Sequence, residues 1–184
     1  LLLLEGGPTI LPSYTDGLRA SARAALMSLG VEVRELTTVT DVGDAVVRVG
    51  GETIAAGTIV WAAGVQASPI GRQLGAEVDR MGRVRVAPDL SVPAYPEIFV
   101  AGDLMAIAGS DGHPVPGVAQ AAMQAGRRAA GNIRARLQGR PTTPYRYRDL
   151  GSMATIGRAR AVADLGWIRL TGYPAWLAWL FLHL

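Results

Sequence analysis

The stretch EIFVAGD, residues 97–103, decides how this chain is read. An apolar run that ends on Gly102-Asp103 has the pattern of a buried strand entering a turn. Glycine there lets the backbone approach a ligand closely. The carboxylate beside it accepts hydrogen bonds from sugar-type hydroxyls. The plainer alternative is an ordinary strand-to-turn Gly-Asp. Downstream, the loop GHPVPG (112–117) feeds a long helix expected from about Val118 to Gln138. Its first turn is expected to face the same ligand as the Gly-Asp turn. Ala119, Met123, Gly126, Ala130, Ile133 and Leu137 are expected to form the buried seam of that helix. Gly139-Arg140-Pro141 stops it. Within it AQAAMQAG, residues 119–126, sets Gln120 and Gln124 four residues apart, on one face. Either that face is wet, as Arg127, Arg134 and Gln138 suggest, or its neutral amides border an apolar ligand.

Upstream, LLLLE (1–5) has the pattern of a buried strand ending in an acid, so the chain is expected to start partway into a domain. Leu1–Leu4 also lacks the basic leader and cleavage site of a signal peptide. After GGPTILP, Ser13 and Asp16 have capping-box spacing. A helix carrying Leu18, Ala22, Leu26 and Leu29 then stops at Gly30, and VEV (31–33) follows as a strand. This β-α-β order implies a parallel pair. TVTDV, AVVRV and ETIAA suggest an antiparallel meander. TIVWAAG (58–64) is expected to be another buried strand, and GRVRVAPDL (82–90) a half-buried one. Glu5 stands where a dinucleotide-binding fold places an acid that accepts from ribose hydroxyls and disfavours a 2′-phosphate, hence NADH over NADPH. Its other reading is a solvated carboxylate, and no GxGxxG occurs in these 184 residues.

Composition narrows the chemistry. The chain is 49% hydrophobic and 18% charged, which suits a folded protein. It has no cysteine, which excludes thiolate metal sites, disulfides and Cys nucleophiles within it. All 18 basic residues are arginine, so no Schiff-base lysine is present. His113 and His183 have no metal-ligand spacing. A net charge of +3, with arginines alternating with acids, gives no nucleic-acid stripe. Redox work would therefore need a bound organic cofactor, and the ribityl chain of FAD suits Asp103. The tail YPAWLAWLFLHL (173–184) is too short to span a bilayer, which needs roughly 17–25 residues. Trp167, Trp176 and Trp179, with Arg158, Arg160 and Arg169 upstream, suit a membrane surface. A buried C-terminal helix or a homodimer contact is the alternative.

Together EGGPTILP (5–12), TIVWAAGVQASPIGR (58–72), VPAYPEIFVAGDL (92–104), GVAQAAMQAG (117–126) and YRYRDLGSMATIGRARAVADLGW (145–167) resemble the C-terminal half of the type II NADH:quinone oxidoreductases. The resemblance covers nearly the whole chain. It implies an α/β fold: an N-terminally truncated, Rossmann-like pair of FAD- and NAD-binding domains with a C-terminal membrane-docking helix. Residues 1–63 would be the C-terminal part of the NADH-binding domain. Residues 64–144 would be the returning part of the FAD domain, and 145–184 the start of a membrane-associated region. The resemblance also implies that Glu5 binds the NADH ribose and that Ala62, Ala63 and Gly64 border nicotinamide and flavin. Gly102 and Asp103 would hold the ribityl-phosphate region of FAD. Gln120 and Ala121 would touch the isoalloxazine ring, and Gln120 with Gln124 would form the quinone-site motif. Electrons would pass from NADH through FAD to a membrane quinone, at the cytoplasmic face of the plasma membrane. One departure is Leu150, where many relatives carry a lysine near the flavin. The rival readings are a soluble FAD-dependent NAD(P)H reductase of a ferredoxin-like protein, or a non-enzymatic binding domain.

Overall fold

The computed structural model describes residues 1–183; Leu184, the last residue of the expected docking tail, lies outside the described residues. The chain divides into two compact units, Leu1–Ala62 with Leu150 onward, and Ala63–Asp149.

The first unit opens with strand β1 (Leu2–Leu4), helix α1 (Asp16–Ser28) and strand β2 (Glu32–Arg34). β1 and β2 pair in parallel with Leu3 opposite Val33, as the β-α-β order requires. Leu18 and Ala22 of α1 pack with Ile10, Tyr14, Val31 and Val33. The capping box is not formed. The N-cap is Thr15, without a side-chain bond, and Asp16 in the first turn instead pairs with Arg19 one turn on. The meander is present as β3 (Val39–Gly43), β4 (Val46–Val49) and β5 (Glu52–Ala55). Residues 58–64, expected as a buried strand, are not one. They lie outside any strand, with Val60 83% and Trp61 65% exposed. An apolar run expresses a preference for burial, but a strand exists only through a ladder with a neighbour. Among the described residues nothing pairs with this run.

The second unit contains the short helix α2 (Ile70–Gln73), then β6 (Val84–Arg85), β7 (Ser91–Val92) and β8 (Tyr95–Phe99). A single 3₁₀ turn at Gly102–Leu104 leads to β9 (Met105–Ala106) and the 19-residue helix α3 (Ala119–Leu137). β6 pairs with β9 in parallel, and β7 with β8 antiparallel. The strand expected at 97–103 ends at Phe99. Val100 then continues inward, its N–H donating to the Leu90 carbonyl, before Gly102 opens the turn. The strand expected at 82–90 shrinks to two residues around Val84, which is fully buried.

α3 has the expected length but faces the other way. Its buried residues are Ala121, Ala125, Ala129 and Asn132, whereas Met123, Ile133 and Leu137 are exposed. The expected seam was the stripe with the largest apolar side chains. The observed seam lies beside it and consists of small residues, because α3 packs close against Val84, Leu90, Val100 and Tyr145. Close packing of that kind admits a methyl group but little more.

The chain returns to the first unit with a three-stranded antiparallel sheet, β10 (Ser152–Gly157), β11 (Arg160–Asp164) and β12 (Arg169–Thr171), followed by helix α4 (Gly172–His183). Alternation along β11 serves both faces. Val162 joins the α1 core, while Ala161 and Ala163 pack with Ala175 of α4.

Candidate functional site

The second unit gathers most of the expected site residues. Gly102 has φ +72, a left-handed conformation that favours glycine. It brings its turn against the start of α3: a Cβ at Gly102 would meet Ala122 Cβ at 3.5 Å. A Cβ at Gly117 would meet the Asp103 carboxylate at 3.4 Å. Asp103 itself is exposed. The N-cap of α3, Val118, makes no side-chain cap bond, and the first turn has no acid. Uncapped N–H groups at the start of a 19-residue helix favour an anion or a carbonyl oxygen. The cradle thus combines a left-handed glycine, an exposed carboxylate acceptor and a helix N-terminus that has no side-chain cap, which fits the ribityl and phosphate portion of FAD. Ala121 is 1% exposed, so its side chain belongs to the core and it offers a ligand only its main chain.

Gln120 and Gln124 are both half-buried and share a face, turned toward residues 145–149. Gln120 Nε2 lies 3.4 Å from Asp149 Oδ1, and the Tyr147 hydroxyl lies 3.5 Å from the same oxygen. Gln124 Nε2 donates to the Arg148 carbonyl at 2.9 Å, and the Arg148 N–H donates back to Gln124 Oε1 at 3.0 Å. The Tyr145 hydroxyl donates to the Ala121 carbonyl at 3.1 Å. Burial, then the Asp149 charge and hydrogen bond, push the Tyr147 hydroxyl up to about 12.

A further side chain anchors this region and was missed in the sequence. Asn132 is 1% exposed. It donates to the carbonyls of Asp89 (2.9 Å) and Thr143 (2.8 Å) and accepts from the Thr143 N–H (2.9 Å). One asparagine in an alanine-rich helix, eleven residues beyond Ala121, was the available signal. Asp89 next to it also accepts from Ser91 N–H and Oγ. Its burial acts to raise its pKa, but the bonds from Ser91 and Thr142 and the nearby Arg136 prevail and hold it below the ordinary value.

In the first unit, Glu5 follows β1 and its side chain folds back to accept from the Gly7 N–H at 2.6 Å. Its own N–H donates to the Arg34 carbonyl, so the parallel pairing fixes where the carboxylate emerges. Ala62 is exposed at the end of that stretch of the first unit. Ala63 and Gly64, also exposed, open the second unit, with Gly64 at φ +106. A shallow hollow lined by Thr15–Leu18, Arg169 and Thr171 lies in the first unit and includes none of the expected site residues. Among the described residues no group of His, Cys, Asp or Glu could hold a metal ion. No helix among them is long and apolar enough to cross a membrane.

A family model described as pyridine nucleotide-disulphide oxidoreductase matches residues 1–126. The chain is 43% identical over its whole length to the type II NADH:quinone oxidoreductase Ndh of Mycobacterium tuberculosis, of which it covers 41%. It is 36% identical over 84% of its length to the type II NADH:quinone oxidoreductase of Staphylococcus aureus, of which it covers 39%. The chain therefore spans about two fifths of the length of these curated relatives. In three dimensions it resembles NDH2 of Plasmodium falciparum in complex with NADH, with a TM-score of 0.80 at 17% identity, covering 100% of this chain and 54% of that one. It also resembles the ferredoxin reductase for the CYP199A2 system of Rhodopseudomonas palustris, with a TM-score of 0.66 at 16% identity, covering 88% of this chain and 46% of that one.

Proposed function

The chain belongs to the pyridine nucleotide-disulphide oxidoreductase family, and from that premise we propose that it forms part of an FAD-dependent NADH:quinone oxidoreductase of type II. The observation that carries this reading is the meeting of the Gly102-Asp103 turn with the start of α3, which has no side-chain cap and carries Gln120 in its first turn and Gln124 one turn on. The 43% identity to an enzyme of that name supports the same choice. FAD, when bound, supplies the two-electron relay between nicotinamide and quinone. The protein's part is to bind and orient. Asp103 accepts from the ribityl hydroxyls, and the first N–H groups of α3 complement negative charge or a ring carbonyl. Gln120 and Ala121 would contact the flavin ring, Ala121 through its main chain. Ala62, Ala63 and Gly64 would border the nicotinamide and flavin, and Glu5 would bind the NADH ribose. Gln120 and Gln124 would form the quinone-site motif, Gln120 as its polar edge and Gln124 beside it through the Arg148 main chain that it holds. A neutral amide offers both donor and acceptor there without the shift in potential that a formal charge would bring.

In this reading residues 1–63 complete an NADH-binding domain, 64–144 the returning part of an FAD domain, and 145–184 begin a membrane-associated region. Exposed Trp167, Phe181 and Leu182, with Arg158 and Arg169 nearby in sequence, support docking at a membrane surface, which this reading takes as the cytoplasmic face of the plasma membrane. The competing reading is a reductase of a ferredoxin-like protein, favoured by the second fold resemblance. Turnover decides between them. The intact, FAD-loaded protein is expected to oxidise NADH with a short-chain soluble quinone and not with a ferredoxin-like acceptor; the reverse result would overturn the quinone reading.

A further inference from the structure

Residues 143–149 lie against α3 without belonging to any strand. Three anchors run in opposite order along strap and helix: Thr143 with Asn132, Arg148 with Gln124, Asp149 with Gln120; the long side chain of Tyr145 crosses that order to reach the Ala121 carbonyl. The lengths agree. Six steps of extended chain from Thr143 to Asp149 span about 20 Å. Twelve helical steps from Asn132 back to Gln120 span about 18 Å. The segment is thus a strap drawn nearly straight along the helix and antiparallel to it. Its side chains alternate: Tyr145 is buried and Tyr147 half-buried, whereas Arg146 and Arg148 are exposed. A slip of one residue would exchange those faces and turn arginine toward α3.

Three anchors bond the strap through its main chain, one of them the Tyr145 N–H, which donates to the Pro88 carbonyl at 2.7 Å. Asn132 does so at one end, and the reciprocal pair between Gln124 and Arg148 does so near the other. The Gln124 amide presents one acceptor and one donor to the N–H and carbonyl of a single residue, as a neighbouring strand would. We propose that Gln124 is a positioning residue. By holding the main chain of Arg148 it fixes the register of the strap beyond Tyr145, and through that register the placement of Gln120 and Asp149 on the acceptor side. The acceptor half of this proposal rests on the quinone reading above; the register half does not. The depth at which Tyr147 sits, with its hydroxyl pushed up to about 12, supplies an independent reporter of register.

The test uses the intact FAD-loaded protein, with Gln124→Leu as the disruptive variant and Arg148→Ala as its control, which keeps both main-chain groups. Three quantities are measured: amide exchange at residues 146–149, the tyrosine titration by ultraviolet absorbance, and KM and kcat for a soluble quinone. In Gln124→Leu, loss of the pin is expected to speed exchange in the strap about tenfold. The Tyr147 titration should fall toward that of an ordinary tyrosine. Quinone KM should rise about tenfold with kcat changed far less, since a displaced acceptor edge weakens binding first. Arg148→Ala should retain slow exchange. A raised KM with unchanged exchange would overturn the proposal, because Gln124 would then meet the quinone directly. Faster exchange with unchanged KM would overturn the acceptor half, and fast exchange in Arg148→Ala the register half. Absence of quinone reduction by the unsubstituted protein is read before any substitution. It would defeat the functional reading and the acceptor half together, while exchange and titration still decide the register.

Discussion

Asn132 ties parts of the second unit together, since one side chain satisfies two carbonyls and one N–H drawn from two separate loops. Removing it leaves those groups unpaired in a part-buried setting, against about 1–3 kcal/mol for each fully buried group left without its partner. Asn132→Ala is therefore expected to destabilise the unit by about 3 kcal/mol, read as a lowered denaturant midpoint with an unchanged slope. Gln120 plays a different part: it is half-buried and reaches Asp149 across 3.4 Å. Gln120→Ala in the intact protein should cut quinone turnover about tenfold, the loss of roughly one useful hydrogen bond, while FAD content stays the same. Equal turnover in the two proteins would remove Gln120 from the acceptor site. Tyr147 makes a pH prediction. Its hydroxyl is raised to about 12 by burial first and then by Asp149, with a smaller contribution from Tyr145. The folded state thus holds a proton that the unfolded chain releases near pH 10, so this contribution is complete below that pH. Stability should fall as pH rises from about 10 to about 12, and a Tyr147→Phe variant should show a shallower decline over that window.

At the level of elements, α3 and α4 show the limits of reasoning from hydrophobicity. In α3 a stripe with Met123 and Ile133 looks like the natural seam, yet alanines and one asparagine face inward. The stripes differ by a rotation of the helix, and only the partner surface chooses between them. α4 is apolar around most of its circumference, and its one fully buried side chain, Ala175, packs with Ala161 and Ala163. Deleting the helix would therefore damage the sheet as well as any docking surface. Substitution is the cleaner experiment. Trp167→Ser, Phe181→Ser and Leu182→Ser together, all at exposed positions, should lower co-sedimentation with anionic vesicles at least about tenfold. The thermal midpoint should be preserved. Undiminished co-sedimentation would assign docking elsewhere.

For the molecule as a whole, the cradle formed by Gly102, Asp103 and the start of α3 addresses one part of FAD, and no GxGxxG for its pyrophosphate occurs in these 184 residues. The 184-residue chain expressed alone is therefore expected to bind FAD well below one equivalent, as measured by absorbance after gel filtration. A stoichiometric yellow product that NADH reduces would show that these residues suffice. Much of this architecture was legible in the sequence: the β-α-β unit of residues 2–34, the meander of residues 39–55, the Gly102-Asp103 turn and the length of α3. Each of these follows from periodicity, turn chemistry or a helix stop, which are properties of residues close together along the chain. The tertiary structure decided the rest. It left residues 58–64 without a ladder, turned the alanine stripe of α3 inward, and drew residues 143–149 along that helix through Asn132, Tyr145 and Gln124. The physical reason is common to all three. Whether a strand pairs, which stripe fits and which amide finds a backbone partner depend on groups supplied by remote parts of the chain, and no local pattern encodes the space those groups leave.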